Sequence, residues 1–169
     1  MPIKNVEELF LTVLSDVRAR EERSLQAWQE MGQHAQDEDV KKVLETRAFL
    51  TKESISNLDE CFRLLGKQPI QPTTRLHDVF VEDFRRELNE IHEPALRSLY
   101  VIHKARELAQ IHVSAYVGLI TMAELMGNIP VSALLETNLA GKMVFIDRAA
   151  DLVHEIGESV VMGRMRKAA

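Results

Sequence analysis

LRSLYVIHKARELAQIHVSAYVGLITMAELM, residues 96–126, is the stretch that decides the fold. It contains no proline, and its only glycine is Gly118. Leu99, Ile102, Ala105, Ala109, His112, Tyr116, Ile120 and Ala123 recur at three- and four-residue intervals, the period of one helix face. The stripe lasts for about seven turns, roughly 45 Å of helix. One of its members, His112, is ionisable. The residues facing that histidine decide whether the helix carries any chemistry.

The flanks punctuate this helix cleanly. Pro94 stands at a favoured first helical position, and Gly127 follows the last periodic residue, giving a helix over about 94–126. Downstream, Asn128 can cap a further helix with Pro130 in its first turn. Its stripe reads Leu135, Leu139, Lys142, Phe145 or Ile146, Ala149, Leu152 or Val153, and Ile156, so the expected span is 130–156. Gly157 and Gly163 weaken helix beyond that point, and MGRMRKAA reads as a frayed basic end.

Upstream, Asn5 and Glu8 have capping-box spacing ahead of a helix over 6–33. Phe10, Leu14, Val17, Glu21, Ser24, Trp28 and Met31 form its stripe. Arg18, Arg20, Glu22 and Arg23 fall off that stripe and read as a solvated face. Asp37 is a plausible N-cap for a helix over 38–65 that stops at Gly66. Its stripe is Val40, Leu44, Arg47, Thr51, Ile55, Leu58, Phe62 and Leu65. KQPIQPTT, residues 67–74, is a loop, after which Thr74 can cap a shorter helix over 75–91 with Leu76, Phe80, Phe84, Leu88 and Ile91 on one face.

Composition agrees with this all-α reading. The 169 residues suit one domain covering 1–169, large enough to hold a core without a disulfide or structural metal. Aromatics are scarce: six Phe, two Tyr and one Trp. A net charge of −5 gives no electrostatic reason to expect nucleic acid. Cys61 is the only cysteine, which excludes an internal disulfide and reads as a core thiol. No stretch approaches 18 uninterrupted apolar residues, and the N-terminus lacks a continuous apolar signal region. The expectation is a cytoplasmic protein with no membrane partner.

The two long helices before Gly66 join through a short loop and are expected to be antiparallel neighbours; so are the two after Glu93. The 26 residues between Gly66 and Glu93 are enough to travel the length of a bundle. Two helical hairpins joined by one long crossover, here carrying a short extra helix, make a ferritin-like four-helix bundle. An up-down bundle with a helical appendage is the alternative topology.

Each long helix carries a polar residue near the middle of its apolar stripe: Glu21, Arg47 with Thr51, His112, and Lys142. The middles of the helices meet in such a bundle, where di-iron carboxylate proteins place four carboxylates and two histidines. Two divalent cations need several anionic oxygens. These positions offer one carboxylate, one imidazole and two cations, a set that repels metal.

The segments IKNVEELFLTVLSD, VKKVLET, LTKESISNLDECFRLLGKQP, VSAYVGL, AELMG and LLETNLAGK resemble the bacterial ferritin-like proteins of the YciE/YciF type, in register over about Pro2 to Leu152. The resemblance implies a small, stress-associated four-helix bundle with a di-metal centre. The family's first-helix glutamate matches Glu21. Its second-helix histidine is replaced by Arg47, and the glutamate preceding Thr51 by Leu50. Residues 109–116 stand where the family pattern has two glutamates and a histidine, and of that stretch Tyr116 keeps its place. The paired glutamates of the last helix are replaced by Gly141 and Lys142.

Buried Glu21 therefore needs a cationic partner, with Arg47, Lys142 and His112 as the candidates. The expected site is a vestigial polar network of Glu21, Arg47, Thr51, His112, Tyr116 and Lys142, with no catalytic residue, no metal and no cofactor. Its expected role is non-enzymatic, in a stress-associated homodimer. One alternative is an iron or manganese oxidase or peroxidase that uses Glu21 and His112 with help from Glu45 or Glu53. Another is an adaptor whose crossover helix moves aside to bind a partner protein's helix; an exposed Phe80/Phe84 face would favour it. His34, His77, His92, His103 and His154 read as surface or crossover residues.

Overall fold

The computed structural model describes residues 3–72 and 75–168, with side chains described as far as residue 163. The expected Thr74 cap lies outside the described residues. Five helices follow in order: α1 (Val6–His34), α2 (Glu38–Leu65), α3 (Leu76–Asn89), α4 (Pro94–Leu125) and α5 (Ile129–Ala168). No strand occurs among the described residues.

Local chemistry sets the ends. The Asn5 side chain accepts from the Glu8 amide at 2.8 Å, and the Glu8 carboxylate accepts from the Lys4 amide at 2.8 Å. Asp37 accepts from the amides of Asp39 and Val40 at 2.9 and 3.0 Å. α2 stops at Gly66, whose φ of 62° is left-handed; the Lys67 amide donates to Phe62 and the Gly66 amide to Arg63, which is a Schellman closure. A second closure at Gly127, φ 74°, ends α4. Glu93 caps α4 by accepting from the Leu96 amide at 2.6 Å, with Pro94 following it.

Two spans differ from expectation. The crossover helix is Leu76–Asn89 rather than 75–91, because Arg97 donates to the carbonyls of Leu88 and Ile91 at 3.0 and 2.6 Å and so closes its end early. The last helix runs on to Ala168 instead of stopping near 156. Glycine costs about 1 kcal/mol inside a helix. Here Ile156 and Val160 pack on the core to either side of Gly157 and offset that cost.

α1 packs on α2 and α4, and α5 on α4 and α2. Phe10 and Leu14 share one core with Leu119 and Ala123, whereas Ser24 further along α1 meets His112, so α1 and α4 are antiparallel. Asn57 meets Asn138 and Cys61 meets Val131, so α2 and α5 are antiparallel as well. α2 and α4 therefore run the same way, and the segment carrying α3 must travel the length of the bundle between them. That is the ferritin-like connection.

The bundle has two apolar cores. One is built on Trp28, Met31, Leu44, Ile102, Phe145 and Leu152, the other on Phe10, Leu14, Leu58, Phe62, Leu119 and Leu135. Between them, at the mid-height of all four long helices, lies a polar layer. α3 covers the first core: Val81, Phe84 and Leu88 are buried, and Phe84 stacks on Tyr100 with ring centres 5.9 Å apart. Two ion pairs tie α3 to α1, Arg23–Asp78 at 3.2 Å and Arg85–Glu30 at 2.7 Å.

By length and mean hydropathy α4 and α5 could each cross a membrane. In this fold they pack on each other and direct His112 and Lys142 inward to Glu21.

Candidate functional site

The polar layer is centred on Glu21, whose exposure is 0%. Its Oε1 takes three contacts. Lys142 Nζ lies 2.5 Å away, His112 Nδ1 3.0 Å and the Tyr116 hydroxyl 3.1 Å. The ammonium is the carboxylate's closest ion-pair partner. Oε2 faces Arg47 Nη2 at 3.8 Å, too far for a hydrogen bond but close for an ion pair. Lys142 Nζ also lies 4.9 Å from the centre of the Tyr116 ring, and Arg47 Cζ lies 6.0 Å from the Trp28 ring centre, both within cation–π range.

The network extends to either side. His112 Nε2 meets Ser24 Oγ at 3.2 Å. Burial pushes the His112 imidazole down, against the pull of Glu21, so the ring is neutral. Nδ1–H then donates to the carboxylate, and Nε2 accepts from Ser24. On the other side the Asn138 amide donates to Tyr116 Oη at 3.3 Å and to the Ser54 carbonyl at 3.0 Å, while its oxygen accepts from Asn57 at 2.8 Å. A hydrogen-bonded chain thus joins α2, α5, α4 and α1 through Asn57, Asn138, Tyr116, Glu21, His112 and Ser24.

Burial raises the carboxyl pKa of Glu21, but Lys142, His112 and Arg47 together outweigh it and hold the group well below its ordinary value. Burial lowers Lys142 to about 8, with Glu21 opposing. Tyr116 is raised well above its ordinary value, by burial first and Glu21 next. It is therefore a neutral donor.

The structure brings together Glu21, Arg47, His112, Tyr116 and Lys142. Thr51 differs: its hydroxyl donates to the Arg47 carbonyl at 2.8 Å, the back-bond of a helical threonine, and no hydrogen bond joins it to Glu21. Glu45 and Glu53 are exposed, away from the layer. Asn57, Asn138, Arg20 and His77 of this region are not among the expected site residues. Asn138 lies on the α5 stripe one turn before Lys142, a spacing that could have found it. Arg20 is buried at the edge of the layer rather than solvated, its Nε 3.4 Å from the Asp16 carbonyl. His77, read as a crossover residue, is buried where α3 meets α1, and burial above all lowers it to about 4.

This donor set does not suit a pair of divalent cations. A single carboxylate and a neutral imidazole are already engaged with each other, and two cations flank them. Among the described residues, no group of three or more His, Cys, Asp or Glu side chains could hold a metal ion.

Fold and site together define a ferritin-like helical bundle whose mid-height layer is a buried ionic network. The chain belongs to the family described as a domain of unknown function (DUF892), which matches residues 5–157. The E. coli stress protein YciF superposes with a TM-score of 0.87 at 18% identity, covering 92% of this chain and 99% of that one. YcfI from Rhodopseudomonas palustris gives 0.85 at 23% identity, covering 88% and 94%. A protein from Xanthomonas campestris gives 0.72 at 16% identity, covering 98% and 100%. No curated protein matches the chain. The fold is thus the one that YciF and YcfI share.

Proposed function

We propose that this chain is a non-enzymatic, metal-free member of its family, in which fixed cations replace the charge that metal ions supply in relatives. The observation carrying this reading is the Lys142 ammonium 2.5 Å from Glu21 Oε1, with Arg47 3.8 Å from the second oxygen, in a layer where all three side chains are at most 1% exposed. A divalent cation at Glu21 would have to displace the ammonium and sit beside a guanidinium that stays charged. The role that remains is one performed by the surface or by an assembly. The likeness to a stress protein supports a stress-associated role. A reducing cytoplasm suits the one cysteine, buried and unpaired.

A homodimer is the proposed assembly. Val117, Leu125, Ile129 and Val144 are exposed on α4 and α5 and supply apolar surface that association would cover. Light scattering on the purified protein tests it; a monomer at all concentrations would overturn it. The adaptor reading loses its support, because Phe84 is 1% exposed and stacked on Tyr100.

Elemental analysis of protein purified from cells grown with added iron and manganese is the direct test. Far less than one metal per chain is expected. About two per chain, with ferroxidase or peroxidase activity, would establish the oxidase reading instead.

A further inference from the structure

Between α1 and α2 runs a surface groove of about 710 Å³. None of Glu21, Arg47, His112, Tyr116 and Lys142 lines it. Gly32 and Ala48 do, and they bring little side chain to fill it. A Cβ built on Gly32 would meet only Leu44, at 3.9 Å. The Phe49 ring borders the same groove and is 61% exposed. No other aromatic side chain of the chain is exposed. A hollow thus lies beside a ring large enough to fill one, and leaving that ring in water costs apolar burial.

The charges of the groove are unmatched as well. Lys41 pairs with Glu38 at 2.6 Å. Glu45 and Lys52 also line the groove, and neither has an ion-pair partner among the described residues. Glu45, Ala48, Phe49 and Lys52 follow one another at i, i+3, i+4 and i+7, on one face of α2. Their order, acid, small, large, base, is its own complement when reversed. A surface that meets a copy of itself about a two-fold axis needs that property.

We propose that this groove docks a second copy of the chain, α2 against α2 in antiparallel register about an axis between Ala48 and Phe49. Each Phe49 then enters the hollow at the other copy's Ala48, and each Lys52 faces the other copy's Glu45. The inference rests on the homodimer reading and gives it a face and a register. α1 and α2 form the side of the bundle opposite α4 and α5. Substitutions in the groove therefore leave the exposed apolar residues of α4 and α5 untouched.

Sedimentation equilibrium of the full-length protein and its charge-reversed variants is the test. Lys52→Glu sets carboxylate against carboxylate on both sides of the axis and should weaken association about tenfold; Glu45→Lys should do the same with two ammonium groups. Glu45→Lys combined with Lys52→Glu should restore association to within about threefold of the unaltered protein. Phe49→Ser, which removes the ring, should weaken it about tenfold. All three positions are exposed, and an unchanged Tm at low protein concentration checks that each variant folds. A dimer that ignores the charge reversals and Phe49→Ser overturns the α2 face and leaves the homodimer reading standing. Weakening by each single reversal without recovery in the double variant overturns the antiparallel register. A monomer at all concentrations overturns the face and the homodimer together.

Discussion

Lys142 sits at odds with its helix. A lysine on the buried face of α5 costs desolvation energy, which shows as a pKa lowered to about 8. It is retained at 2.5 Å from a carboxylate that has no exposure to water. Removing one member of a buried pair strands the other. Lys142→Met should therefore lower stability at neutral pH by about 3 kcal/mol, read from urea unfolding; an unchanged midpoint would mean that Glu21 does not depend on it. The loss should be smaller in a Glu21→Gln background, because a neutral amide no longer needs the ammonium. Both positions could be read from sequence, since a charged residue in the middle of an apolar stripe is conspicuous. Arg20 and His77 could not be read this way. Arg20 differs from its exposed neighbours only in where the bundle closes over it. His77 is buried by an element whose placement the local pattern does not state.

α3 presents a contrast between anchors. Its ion pairs to α1 through Arg23 and Arg85 are partly exposed, and such pairs contribute little. Phe84, buried and stacked on Tyr100, holds the element down. Phe84→Ala should cost about 3–5 kcal/mol. Arg85→Ala should cost under about 1 kcal/mol, and calorimetry of the two variants checks the ranking. His77, on the buried face of the same helix, adds a pH dependence. Its folded pKa of about 4 lies below the ordinary 6.5. The unfolded chain therefore binds a proton first as pH falls, so stability drops between pH 6.5 and 4 and then levels off. The stability of His77→Gln relative to the unaltered protein should rise across that window; parallel curves would show that His77 carries no part of the loss.

At the scale of the whole molecule, the fold was largely legible. Asn5, Asp37, Gly66, Pro94 and Gly127 mark helix ends, and each acts through the cap or closure that its residue type allows. The length of the crossover then leaves few ways to connect two hairpins. The end of α5 is not legible in local propensity, because the packing of Ile156 and Val160 on the core overrides the cost of Gly157. Of the site, the ionic members were legible and their wiring was not. Asn138 joins Tyr116, Ser54 and Asn57 only because α2, α4 and α5 converge there. Thr51 shares the stripe, but its hydroxyl is satisfied by its own helix.

The lone thiol has a practical consequence. Cys61 is fully buried in the second core, and burial pushes its pKa up to about 12, so it is both out of reach and in its unreactive form. A disulfide reagent can modify it only when α1, α2 and α5 separate. Its labelling rate in native buffer then serves as a stopwatch for opening of the bundle. At high reagent concentration that rate should equal the unfolding rate extrapolated from denaturant kinetics. Much faster labelling would reveal a local motion that exposes the second core without unfolding the chain.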